Sequence, residues 1–95
     1  MKIKIVKIER TCWAAPSQWE AVDSEQYPYY FRYRHDLLSV RKGKKKKNIM
    51  TAVGGEEIFS YNLGDEYAGY MEYKQLKDIL KDVMELPEIE NVDNS

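Results

Sequence analysis

The residues best equipped for chemistry in this sequence are Trp19, Tyr30, Arg32 and Arg34. A guanidinium forms paired hydrogen bonds to a phosphate or carboxylate, and an aromatic ring accepts the flat face of a base or of another guanidinium. The run Tyr29-Tyr30-Phe31-Arg32-Tyr33-Arg34 alternates, so Tyr30, Arg32 and Arg34 fall on one side of a strand and Tyr29, Phe31 and Tyr33 on the other. If the strand before it pairs alongside, Trp19 is expected to project onto the arginine side. Three readings stay open for this row: a ligand site, a protein-binding surface, or a solvent-facing row with Trp19 anchoring the core.

A second candidate is the basic run Arg41-Lys42-Gly43-Lys44-Lys45-Lys46-Lys47, six positive charges in seven residues. Lys44, Lys45, Lys46 and Lys47 could grip nucleic-acid phosphates, with binding that weakens steeply as salt rises. They could equally steer an acidic partner or form a solvated loop, because no recognised nucleic-acid motif accompanies them. His35-Asp36 could pair as an acid–base unit, but it sits at an expected turn with no nucleophile nominated nearby. Cys12 has no guaranteed cation beside it to generate a thiolate. Glu56, Glu57, Asp65 and Glu66 flank a glycine-containing stretch without the spacing of a calcium loop. Gly54-Gly55 matches neither a phosphate loop nor a dinucleotide fingerprint. No catalytic residue, metal or cofactor is expected, and the chain reads as a non-enzyme.

The 95 residues suffice for one domain. A domain of this size buries only about 60–65% of its unfolded surface, so oligomerisation would be a natural supplement. Hydrophobic residues make up 43%, which argues against global disorder. Aromatics make up 13%, with eight Tyr and two Trp, residues that favour interfaces as well as cores. The net charge of −1 supplies no global field to attract nucleic acid. One cysteine and one histidine exclude an intramolecular disulfide and most transition-metal clusters. No apolar run nears the roughly 20 residues of a membrane span, and the alternating Met1–Lys7 stretch lacks the apolar core of a signal peptide. The expected compartment is the cytoplasm.

These side chains need strands to position them. Residues 2–9 read as a strand whose apolar phase changes at Ile5-Val6, which implies burial on both faces or a bulge. Further strands are expected at 17–22, at 27–34, at 37–41 after a turn at His35-Asp36, at 49–53 and at 57–63, the last closed by a turn at Gly64-Asp65. Met71 to Glu85 reads as a helix with Leu76, Ile79, Leu80 and Val83 on one stripe, stopped by Pro87. The expected architecture is α+β: an antiparallel meander of four to six strands packed by one C-terminal helix. Residues 1–86 form the domain, and 87–95 form an acidic, flexible tail.

The elements Pro16-Ser17-Gln18-Trp19-Glu20-Ala21, Tyr29-Tyr30-Phe31-Arg32-Tyr33-Arg34 and Leu38-Ser39-Val40 resemble a group of small bacterial and bacteriophage proteins of unassigned function. The similarity covers residues 3–41, with a second stretch from Gly64 to Leu80. The chain departs from the pattern at Ala21, where glycine is expected, and in the lysine-rich insertion after Arg41. The resemblance implies a phage or prophage accessory protein but carries no activity. Many such proteins block host defences by capturing a protein or a signalling nucleotide, so capture of a host factor as an anti-defence inhibitor is the expected function. A nucleic-acid-binding accessory using the lysine loop is the alternative. A homo-oligomer is plausible from the edges a short meander leaves exposed.

Overall fold

A computed structural model describes residues 2–12, 17–34, 37–63 and 71–92. The stretch Arg10 to Pro16 reads in the sequence as a connection ending at proline, but residues 10–12 continue the first strand; 13–16 and the turns at His35-Asp36 and Gly64-Asp65 lie outside the described residues, as do the side chain of Cys12 and the end of the expected tail.

Four strands follow in antiparallel order: β1 (Ile3–Cys12), β2 (Ser17–Asp23), β3 (Pro28–Arg34) and β4 (Leu37–Lys42). A single helical turn, α1 (Met50–Val53), precedes β5 (Glu56–Asn62), which pairs with β4. Helix α2 (Tyr73–Leu80) leads to two short strands, β6 (Met84–Glu85) and β7 (Asn91–Val92). Both run parallel to β1 on the edge away from β2, so the strand order is β5-β4-β3-β2-β1-β6 with β7 also on β1.

This corrects the α+β expectation. Among the described residues the protein is mostly β, a curled mixed sheet with two short helices. The cause lies at the C-terminus. Helix α2 begins with a capping box, in which the Glu72 amide donates to Gln75 Oε1 at 2.8 Å. It ends at Leu80, well before Pro87. The chain then turns, Ile3 donates its amide to the Val83 carbonyl at 3.0 Å, and Met84-Glu85 pairs with Ile3-Lys4. An unpaired β1 edge would leave backbone donors and acceptors without partners, and the C-terminal segment supplies them. Of the expected stripe, Leu76 and Leu80 are buried from α2 and Ile79 and Val83 pack partly buried against the core, while Met84, off that stripe, is buried from β6.

The stretch 49–53 is also not the expected strand. The Asn48 side chain accepts the Met50 amide at 3.0 Å and its carbonyl accepts the Thr51 amide at 3.1 Å, which closes a helical turn. That turn comes so close to β4 that a Cβ on Gly43 would sit 2.6 Å from the Ala52 nitrogen, so glycine is required there.

The core lies on one face of the sheet. Trp19, Ala21, Tyr29, Phe31, Tyr33, Leu38 and Val40 alternate into it, and Leu76, Leu80 and Met71 cover it. On β1, the pairing with β2 shifts register between Ile5 and Lys7, so both Ile5 and Ile8 point inward while Val6 is 52% exposed. The phase change in the sequence is thus a bulge.

Asp23 organises the β2–β3 connection from a buried position. Its Oδ1 accepts the amides of Glu25 (2.8 Å) and Tyr27 (2.9 Å), and its Oδ2 accepts the Tyr29 hydroxyl at 2.7 Å. Gln26 adopts φ 73° within this turn. Burial, reinforced by Asp23, pushes the Tyr29 phenol well above its ordinary range. A raised folded value means that the stabilisation is complete below the unfolded pKa of about 10 and is lost as pH rises beyond it. Urea midpoints should therefore hold steady up to about pH 9–10 and fall above. Tyr29→Phe should lower stability by about 1–3 kcal/mol at neutral pH and make the alkaline fall shallower; an unchanged alkaline slope would remove Tyr29 from this role.

Candidate functional site

The register of β2 and β3 decides where each expected site residue goes. Trp19 stands opposite Phe31, Gln18 opposite Arg32, and Glu20 opposite Tyr30. Residues opposite one another share a face. Trp19 therefore joins Phe31 in the core with 0% exposure, and Tyr30, Arg32 and Arg34 project from the other face. The expected grouping of the indole with the two guanidiniums does not occur; three of the four residues remain together.

The outer face adds partners that the single-strand alternation could not reveal. On β4, Leu37, Ser39 and Arg41 stand opposite Arg34, Arg32 and Tyr30. Arg32, Arg34 and Arg41, with Leu37, Ser39 and Glu57, line an open depression of about 450 Å³. Arg41 donates from Nη1 to the Gly55 carbonyl at 3.2 Å, which fixes its direction. The Arg32 Nε is buried without a hydrogen-bond partner among the described residues, although the side chain as a whole is half-exposed. Glu57 faces Arg41 across the β4–β5 pair, yet no ion pair among the described residues involves these arginines. Three arginines thus line one hollow, with Glu57 the one carboxylate residue among its lining. Such a hollow can bind an anion with several acceptor oxygens.

The lysine run is an ordered loop. The Lys46 amide donates to the Gln26 carbonyl at 2.9 Å, and the Lys44 amide to Thr51 Oγ1 at 2.9 Å. Lys42 Nζ lies 4.0 Å from the centre of the Tyr27 ring, and Lys45 Nζ 5.9 Å from it. The side chains of Lys44, Lys45, Lys46 and Lys47 are exposed. Lys47 and Ile49 border a smaller hollow of about 250 Å³, with Lys7, Glu9, Glu20, Val22 and Pro28 on its sheet side. Glu9 and Glu20 stand directly opposite one another on β1 and β2. Burial, and then the Glu9 charge, raise the Glu20 carboxyl above its ordinary value.

A buried charge cluster was not legible as a site. Arg10 is 1% exposed, and its guanidinium stacks 4.4 Å from the centre of the Trp19 ring. Its Nε donates to both carboxylate oxygens of Glu90, at 3.1 and 3.2 Å, and its Nη2 to the Met71 carbonyl at 2.8 Å. The Trp19 indole donates to the same Glu90 carboxylate. The Met71 amide donates to Ser17 Oγ at 3.0 Å, and the Tyr73 hydroxyl to the Pro87 carbonyl. One signal did exist: Arg10 shares strand phase with Ile8 and so points inward. Its partner sat in the stretch expected to be a flexible tail.

His35, Asp36, Asp65 and Glu66 lie outside the described residues. Glu56 and Glu57 are exposed on β5, and no group of three or more metal-ligating side chains forms among the described residues. No described helix is long and apolar enough to cross a membrane. In comparisons with known proteins, no family model, no curated protein and no solved structure matches this chain.

Removing one member of a buried ion pair strands the other charge. Glu90→Ala should therefore lower stability by about 3–5 kcal/mol in urea denaturation, and the double change Arg10→Met with Glu90→Leu should recover much of that loss. A Glu90→Ala protein as stable as the parent would show that the pair is not formed in solution.

Proposed function

We propose that this chain is a non-enzymatic binding protein that captures an anionic host factor, a nucleotide-like signalling ligand, on the open face of its sheet. Arg32, Arg34 and Arg41 bind the anionic groups, and Tyr30, opposite Arg41, borders them. The observation that carries this is the gathering of three arginines in one depression without an ion pair among the described residues. Guanidiniums held near one another repel, and an anion bridging them relieves that repulsion while satisfying donors such as Arg32 Nε. Trp19 has no part in this site. The resemblance to small phage proteins supports a role as an accessory that sequesters a component of host defence.

A second reading, a nucleic-acid-binding accessory, is favoured by one observation: Lys7 of β1 borders the same hollow as Lys47 of the lysine loop. The basic run thus gains a partner from the sheet.

The two separate by experiment. Protein purified from host cells and examined by native mass spectrometry should carry, or take up, a small anionic nucleotide. In calorimetry with a panel of nucleotides, Arg32→Ala with Arg34→Ala should weaken binding by about tenfold or more per guanidinium, as expected for charge-assisted hydrogen bonds of about 1.5–3 kcal/mol, with the circular dichroism spectrum unchanged. Undiminished affinity in a folded double variant would overturn the arginine site. A labelled oligonucleotide whose gel shift disappears with salt, and is lost when Lys44, Lys45, Lys46 and Lys47 become Gln, would favour the second reading.

A further inference from the structure

We infer, on the reading that Arg32, Arg34 and Arg41 hold the phosphates of a nucleotide, that the smaller hollow bordered by Lys7, Glu9, Glu20 and Lys47 receives its guanine base. The register joins the two hollows. Glu9, Glu20, Tyr30 and Arg41 stand in one row across β1, β2, β3 and β4. Lys7 and Val22 form the next pair on the same face. Residues in such a row share a face, so the smaller hollow opens on the same side of the sheet as the arginines. Glu20 and Arg41 are two strand spacings apart at the backbone, about 9–10 Å. A nucleoside with its phosphate chain bridges that gap, crossing Tyr30 on the way.

The chemistry of the smaller hollow matches one base edge. An ionised carboxylate only accepts hydrogen bonds, and an ammonium only donates them. Glu9 and Glu20 stand directly opposite one another, and neither has an ion pair among the described residues. Like charges set opposite each other repel, and a ligand that donates to both relieves the repulsion. Guanine presents two adjacent donors, N1–H and the N2 amino group, beside the O6 acceptor. Glu20 and Glu9 take the two donors, and Lys7 or Lys47 donates to O6. Adenine and cytosine set one donor beside an acceptor on that edge, and uracil sets one donor between two acceptors. Each of these aims an acceptor at a carboxylate, which cannot donate to it. Val22 and Ile49 supply apolar surface for the ring, and the volume, about 250 Å³, suits a base and not a whole nucleotide. The wall of the hollow is built in advance. The Gly43 amide donates to the Pro28 carbonyl at 2.8 Å and the Lys46 amide to the Gln26 carbonyl at 2.9 Å, which ties the loop carrying Lys47 and Ile49 to the start of β3.

The test is isothermal titration calorimetry of the full chain with GDP, IDP, ADP, CDP and UDP at one salt concentration. GDP should bind about tenfold to a hundredfold more tightly than ADP, CDP or UDP, the discrimination expected of a bidentate base contact. IDP, which lacks the N2 amino group, should fall between. Glu20→Gln removes the repulsion from Glu9, so it should keep the fold by circular dichroism, and it should bring GDP down to the level of ADP. Glu9→Gln, the second variant, should bring GDP down to the level of IDP. Arg32→Ala with Arg34→Ala should weaken all the nucleotides in parallel and keep the order among them. Equal binding of all the nucleotides, lost in the arginine variant, overturns the base site and leaves the arginine site standing. A GDP preference that persists in both folded glutamine variants does the same. A GDP preference whose affinity the arginine variant leaves untouched overturns the arginine site and the bridging ligand with it, and a chain that binds none of the nucleotides overturns both.

Discussion

The protein is organised around one buried positive charge. Arg10 is carried inward by the same alternation that buries Ile8, and an isolated guanidinium in an apolar interior is strongly unfavourable. Glu90 neutralises it, the Met71 carbonyl takes a second donor, and the Trp19 ring covers the flat face of the guanidinium. One side chain therefore ties together β1, β2, the approach to α2 and the segment before β7. It also explains why the C-terminal stretch, rich in carboxylates, runs along β1 as two short parallel strands.

That cluster sets the character of both sheet faces. With Trp19 held inward on Arg10 and Glu90, its cross-strand neighbour Phe31 must also be inward, and Tyr29 and Tyr33 follow. A slip of one residue would exchange the faces. The same constraint sends Tyr30, Arg32 and Arg34 outward, where β4 adds Arg41. The arginine hollow is thus a consequence of core packing on the opposite side, and the indole expected beside those arginines instead packs beneath the sheet.

Much of the fold was legible because period-two alternation is a local signal. It placed β2, β3, β4 and β5 to within a residue or two at most ends, and the broken phase at Ile5-Val6 marked a bulge. The non-local features were not legible. Nothing in the apolar stripe of residues 76–83 reveals that Met84 continues as a strand, because that depends on the vacant edge of β1. The α+β expectation failed for this reason, and the strand expected at 49–53 failed because Asn48 closes a turn locally. For the site, Arg32 and Arg34 could be placed on one face from their spacing, but their relation to Trp19 required the β2–β3 register, and Arg41 required the β3–β4 register. Arg10 and Glu90 are separated by eighty residues, and no spacing rule connects them.

Hydrogen exchange of the Trp19 indole N–H, followed by NMR and assigned with a Trp19→Phe protein, tests this account most directly. With the indole buried against Arg10 and donating to Glu90, the proton should exchange orders of magnitude more slowly than in a free indole, at a rate comparable to core amides of β2 and β3. Exchange at the rate of an exposed tryptophan would place Trp19 on the solvent side, reverse the two faces of the sheet, and leave both the charge cluster and the arginine hollow without their structural basis.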